Sequence, residues 1–96
     1  MATIEHGEFE WDDAKATSNE KKHGVTFVEA ATVFDDVDFL VNVDPQDPSR
    51  FVAVGLSSVA RVLLVVHAAR AERVRLISAR RATLREELLY AQRRDR

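Results

Sequence analysis

Arg73-Val-Arg-Leu-Ile-Ser-Ala-Arg-Arg81, followed by Ala82-Thr-Leu-Arg-Glu-Glu-Leu-Leu-Tyr90, is the stretch on which the reading of this chain turns. Its first half alternates as a β-strand does: Arg73, Arg75 and Ile77 fall on one face, and Val74, Leu76, Ser78 and Arg80 on the other. Its second half opens with Thr83 and, three residues on, Glu86; this is the form of a capping box, so a helix starts there. Leu84 and Leu88 share one side of that helix, with Leu89 and Ala91 widening an apolar stripe. Guanidinium groups therefore concentrate where strand meets helix, and each offers a planar fork of donors suited to phosphate or carboxylate. A solvated basic face beside a core strand is the plain alternative.

Ninety-six residues, 46% hydrophobic and 31% charged, suit one soluble globular domain with a single modest core. With no cysteine in the chain, neither a disulfide framework nor a thiolate metal site is available. No N-terminal apolar segment resembles a signal peptide and no apolar run is long enough for a bilayer, so a cytoplasmic protein with no membrane partner is expected. The formal net charge of −2 hides an asymmetry: residues 1–60 carry 4 Lys+Arg against 12 Asp+Glu, and residues 61–96 carry 10 against 4. The basic C-terminal third is compatible with local phosphate contacts, while the acidic remainder discourages indiscriminate nucleic-acid binding. Internal complementarity between the two parts explains the split equally well.

Outward from the opening stretch, residues 1–8 read as a mobile lead-in or a short edge strand. Asp12 is placed to cap a helix from about Asp13 to His23, whose last turn gathers Lys21, Lys22 and His23 ahead of Gly24. Thr26 and Glu29 repeat the capping-box signature, and Phe27, Ala30, Ala31 and Phe34 follow the i, i+3, i+4, i+7 rule up to Asp35-Asp36. Val37–Val43 and Arg50–Ser57 read as strands separated by the breaker-rich segment 44–49. Arg61–His67 is nearly all β-branched or leucine, as in a central strand covered on both faces. Ala68 to Glu72 must turn the chain without a glycine. The order is helix, helix, three or four antiparallel strands, helix, in a single α+β domain.

The three histidines lie too far apart to form a metal site by spacing, and no paired carboxylates or glycine-rich phosphate loop stand out. What remains is a basic and aromatic set: Lys22, His23, Arg70, Arg75, Arg80, Arg81 and Tyr90. His23 and Lys22 also suit a helix C-terminus, His67 a satisfied place in the core, and Tyr90 the end of an apolar helix face. Arg75, mid-strand among Val74, Leu76 and Ile77, requires an anionic partner, internal or bound, because an unpaired buried charge is very costly.

Two separated sets of residues together resemble a known family. The first is Phe9-Glu-Trp-Asp12, Lys15, Asn19, Lys22-His-Gly-Val25, Phe27, Ala30, Val33-Phe34 and Asp36. The second is Arg50-Phe51, Gly55-Leu-Ser57, Arg61, Val65-Val-His67, Arg75, Ile77-Ser-Ala-Arg80, Ala82, Glu86 and Tyr90. In order and spacing they are similar to the BrnT toxins of type II toxin–antitoxin modules. The resemblance implies a RelE-like fold and a ribonuclease that cuts RNA, and so inhibits translation, without metal or other cofactor. It implies a BrnA-like ribbon-helix-helix antitoxin as partner, through which alone the complex reaches operator DNA. Under it Arg75 and Arg80 stabilise the phosphate, His23 and Tyr90 transfer protons, and Lys22, Arg70 and Arg81 bind RNA. The chain departs from the family pattern at Ala69, where an acidic residue is common, at Ala71, where glycine is common, and at Glu87, where a basic residue is common. Loss of a carboxylate at position 69 leaves open a second role, that of a non-catalytic protein which binds the antitoxin and acts as co-repressor.

Overall fold

The computed structural model describes residues 2–95. Its elements are β1 (Thr3–His6), β2 (Phe9–Asp12), α1 (Asp13–His23), α2 (Phe27–Ala31) prolonged by one 3₁₀ turn (Thr32–Asp35), β3 (Leu40–Val43), β4 (Phe51–Leu56), β5 (Val62–Arg70), β6 (Arg73–Arg81) and α3 (Leu84–Arg94). All six strands form one sheet in the order β1-β2-β6-β5-β4-β3. The α+β class and the three helical regions agree with the sequence reading; the sheet has six strands rather than three or four. Of the two readings of residues 1–8, Thr3–His6 takes the edge strand, and β2 pairs with β6 in parallel, so the sheet is mixed rather than antiparallel throughout. Gly7, at φ 59°, makes the β1–β2 turn possible.

Local signals in the first half act as expected. The Asp12 carboxylate accepts from the Lys15 N–H at 3.0 Å, and Gly24 closes α1 in the left-handed region at φ 68°. Thr26 caps α2, but Glu29 does not complete the box. Its carboxylate instead takes Arg61 Nε at 3.0 Å and Ser57 Oγ at 2.7 Å, tying α2 to the β4–β5 turn. The Arg61 hydrogen bond leads in holding the Glu29 carboxyl below the usual range, against the opposing effect of burial.

One face of the sheet is buried under α2 and the 3₁₀ turn. Trp11, Val25, Phe27, Ala30, Val33, Ala53, Leu63, Val65, Leu76 and Ala79 form its core. Gly55 is required there, since a Cβ would stand 2.8 Å from Phe39 Cβ and 2.9 Å from Val33 Cγ1. In β5 only Leu63, Val65 and His67 of the alternating positions are buried; Val62, Leu64 and Val66 are half-buried. The central strand is thus closed on one face and partly open on the other, not covered on both.

A bulge corrects the alternation of β6. Val66 faces Ser78 and His67 faces Leu76, so Ile77 is an extra residue without a partner. Beyond it the parity flips: Leu76 and Ala79 both reach the core, while Arg75, Ser78 and Arg80 share the open face opposite Ala68, Val66 and Leu64. Strict alternation had placed Arg75 and Arg80 on opposite faces.

The free edge of β6 is completed by a side chain. β2 pairs with β6 only at Val74 and Arg75. Further along, Asn19 of α1 substitutes for a strand: its Oδ1 accepts from the Ala79 N–H at 3.0 Å and its Nδ2 donates to Ala79 O at 2.8 Å and to Val25 O at 3.0 Å. This buried amide anchors α1 to the sheet.

The last helix departs most from expectation. Both halves of the Thr83–Glu86 capping box are present, yet Leu84, Leu88 and Leu89 are 72%, 56% and 50% exposed. The residue that faces the body is Tyr90, 3% exposed, whose hydroxyl donates to Asp36. Asp36 is not merely a helix end, since it also accepts from the Leu56 N–H at 2.8 Å and the Asp38 N–H at 3.0 Å.

Asn19→Ala should cost about 3 kcal/mol in urea unfolding, because one buried N–H and two carbonyls lose their partner. Ala71 sits at φ 43° in the β5–β6 turn, so Ala71→Gly should raise stability by roughly 0.5–1 kcal/mol in the same assay. His67, ring edge against Phe34 at 4.9 Å and Nδ1 bonded to Val65 O at 3.2 Å, has its pKa lowered from 6.5 by burial. Below 6.5 the unfolded chain therefore binds more protons than the folded one, and stability falls as the pH drops through that value. The unfolding midpoint should decline from pH 7 to pH 5.5, and His67→Gln should flatten that decline. The lowered carboxylates Glu29, Asp36 and Glu86, with ordinary values of 4.5, 3.8 and 4.5, add their loss only at more acid pH.

Candidate active site

The bulge and the Asn19 anchor together set α1 beside the open face of β6. Two shallow depressions follow, with a common wall. One, about 240 Å³, is lined by Lys15, Asp47, Ser49, Arg50, Ala68, Arg70, Arg75 and Ile77. The other, about 210 Å³, is lined by Lys15, Ser18, Asn19, Lys22, His23, Ile77 and Ser78. Lys15 and Ile77 belong to both, so the two make one groove. It runs from the 44–50 loop across β5 and β6 to the end of α1.

Two of the groove cations, Arg75 and Arg50, are paired with carboxylates of the chain. Arg75 has the anionic partner its position demanded: Nη1 donates to Glu10 Oε2 at 2.8 Å, between residues that face each other across the β2–β6 pair. Among the described residues Nη1 is its only engaged donor, which leaves the rest of the fork for an anion. Arg50 lies 3.3 Å from Asp47, whose Oδ1 is fixed by the Ser49 N–H at 3.0 Å and hydroxyl at 2.6 Å. Those Ser49 hydrogen bonds lead in holding the Asp47 carboxyl below its usual range. Arg70 ends β5 on the face that carries Ala68, with its side chain exposed. Lys15, Ser18 and Lys22 recur at i, i+3 and i+7 along α1 and turn one polar side of the helix to the groove. Five cations thus surround a short floor of Ala68 and Ile77, with Asp47 the one carboxylate in the lining.

The residues singled out from sequence divide into two groups. Lys22, His23, Arg70 and Arg75 come together in the groove; Arg80, Arg81 and Tyr90 line neither half of it. Arg80 is committed elsewhere, with Nη1 and Nη2 donating to the two oxygens of Glu86 at 2.8 and 3.0 Å and Nη1 also to Arg81 O. That bidentate pair raises the Arg80 pKa and, as its main cause, lowers that of Glu86. Tyr90 is enclosed: burial first, then the Asp36 carboxylate, push its phenol up to about 12. An enclosed phenol bonded to a carboxylate is not placed to exchange protons with a substrate in the groove.

Lys15 and Arg50 stand among the residues that carry the family resemblance, but sequence reasoning gave neither a site role. The helical spacing of Lys15, Ser18 and Lys22 was a usable signal for the first. For Arg50 that resemblance was the signal; its place in the groove depends on how the 44–50 loop folds back, Asp44 N–H to Arg50 O at 2.9 Å. Among the described residues no three His, Cys, Asp or Glu side chains converge as a metal site, and no helix is long and apolar enough to cross a membrane.

A cationic groove without an apolar cleft suits a polyanion, and comparison with known proteins agrees with that chemistry. No curated protein sequence matches the chain. Among solved structures it is similar to the 1.1 Å crystal structure of the Brucella abortus ribonuclease toxin BrnT. The TM-score is 0.59 at 24% identity, over 76% of this chain and 92% of the other, a likeness of fold. Residues 11–86, from β2 through the first turn of α3 and including every lining residue of the groove, match the family of the ribonuclease toxin BrnT of type II toxin–antitoxin systems. The chain belongs to that family.

Proposed function

We propose that the groove between α1 and the β5–β6 open face is the active site of an endoribonuclease that cuts RNA without a metal ion and so arrests translation in the cytoplasm. The observation that carries this reading is the convergence of Lys15, Lys22, His23, Arg50, Arg70 and Arg75 on one continuous depression. In the proposed step the RNA 2′-oxygen attacks the adjacent phosphorus. The new P–O2′ bond forms, the P–O5′ bond breaks, and a 2′,3′-cyclic phosphate and a 5′-hydroxyl result. His23 accepts the 2′-hydroxyl proton, and Lys22 supplies a proton to the departing 5′-oxygen. Arg70 and Arg75 stabilise the charge that grows on the non-bridging oxygens, Arg75 being aimed by Glu10. Lys15 and Arg50 hold the flanking phosphates, a contact that carries no sequence information. Arg80 and Arg81 have no part in this step, since both lie outside the groove lining and Arg80 is paired to Glu86.

The type II family implies an antitoxin, and we take it to be a BrnA-like ribbon-helix-helix protein through which the complex binds operator DNA. One feature favours a second reading. Position 69 is alanine, and Asp47, the carboxylate of the lining, is engaged by Ser49 and Arg50. A chain poor in free carboxylates at the site fits a co-repressor that binds its antitoxin without cutting RNA.

Purified protein with a labelled RNA separates the two readings. Cleavage should persist in EDTA and leave cyclic-phosphate ends detectable by mass spectrometry. Arg70→Ala should slow it about a hundredfold, roughly 3 kcal/mol of transition-state stabilisation, with an unchanged melting curve. Tyr90→Phe should lower the melting temperature and leave the cleavage rate alone. Wild-type protein that leaves RNA intact at high concentration would overturn the ribonuclease reading and leave the co-repressor reading standing.

A further inference from the structure

We infer that α3 is the seat of one helix of the antitoxin, an amphipathic helix with an apolar stripe and one acidic flank; this rests on the reading of the chain as a toxin with such a partner. A surface helix ordinarily turns its apolar stripe to the core. Here the arrangement is reversed. Leu84, Leu88 and Ala91 lie at i, i+4 and i+7 on the side away from Tyr90, with Leu84 72% and Leu88 56% exposed, and Leu89 widens the stripe at 50%.

The polar side does the anchoring. The Tyr90 hydroxyl donates to Asp36, Glu86 takes the Arg80 fork at 2.8 and 3.0 Å, and the Arg94 guanidinium lies 5.9 Å from the centre of the Tyr90 ring. The helix is capped, tethered at both ends and built to present leucines outward. A stripe with this period fits a helix laid alongside it.

Charge selects the occupant. Arg85, Leu89 and Arg93 form a row at i, i+4 and i+8 beside the stripe, and both arginines are exposed. A second copy of α3 docked antiparallel would set Arg85 against Arg93 of the other helix, an unfavourable pairing of like charges. The other flank of the stripe carries the exposed Glu87, so the helix that fits has Glu or Asp along the side that meets the Arg85–Arg93 row and a basic residue on the side that meets Glu87. The seam begins just after Arg81, three residues of strand or about 10 Å from Ser78 at the near side of the groove and about 20 Å from Arg75. It therefore anchors the partner beside the groove without overlapping it, and binding through the seam is separable from RNA cleavage.

The test uses the purified antitoxin encoded beside this chain, with titration calorimetry on the full-length protein. Leu84→Glu/Leu88→Glu should weaken binding at least a hundredfold, and Arg85→Glu/Arg93→Glu at least tenfold with a smaller effect at high salt. Melting curves and RNA cleavage should stay as in wild type for both variants. Unchanged affinity in the leucine variant, with tight binding by wild type, would overturn the seam and leave the toxin reading standing. Wild type that does not bind the antitoxin would overturn both. A wild-type dimer in sedimentation that Leu88→Glu splits would give the seam to a second copy and overturn the assignment.

Discussion

The geometry of the groove depends on one side-chain amide. β6 runs past the end of its parallel neighbour β2, and the edge so exposed would leave backbone groups of a buried strand without partners. Asn19 supplies them, pairing with both polar groups of Ala79 as a neighbouring strand would. Because Asn19 sits in the middle of α1, the same contact fixes the rotation of the helix. Lys15 and Lys22, at i−4 and i+3 from it, are then carried to the groove with Ser18. An aspartate at position 19 could accept from Ala79 but not donate, and would bring a charge into the core.

The arginines of the basic C-terminal third do two different jobs. Arg61 and Arg80 are each bound through two donors to Glu29 and Glu86, Arg61 also donating to the Gly24 carbonyl, and so join elements of the fold. Arg75 gives one donor to Glu10, and Arg70 stands exposed at the end of β5. Acidic residues of the N-terminal half thus neutralise much of the basic third from within, at Glu5–Arg73, Glu10–Arg75 and Glu29–Arg61. The charge asymmetry of the sequence is therefore both internal complementarity and a groove of surplus cations.

Much of this was legible in the sequence where the cause is local. The Asp12 cap, Gly24, the Thr83–Glu86 box and the limits of α1 depend on residues within a few positions of each other, and all stand as read. What escaped was set by distant parts of the chain. An added residue at Ile77 reverses which side chains reach the core, and alternation alone cannot reveal it. The parallel β2–β6 pair joins residues 65 positions apart. The α3 stripe was seen correctly as a stripe, but its direction is set by Tyr90 and Asp36, 54 positions apart. That long-range pairing removed Tyr90 from the groove, and Glu86, six positions on, removed Arg80, while Lys22, His23, Arg70 and Arg75 met there across three elements.

The central claim, that RNA lies in the groove between α1 and β6, is tested most directly by mapping amide chemical shifts on titration with a short single-stranded oligonucleotide carrying 2′-deoxyribose. Such a strand keeps the phosphates but lacks the nucleophile, so it binds without being cut. The account predicts that shifts concentrate in residues 15–23, 47–50 and 68–78, and shrink as salt is raised, as phosphate contacts require. Shifts confined to α3 or β3, with the groove residues unmoved at saturation, would contradict it.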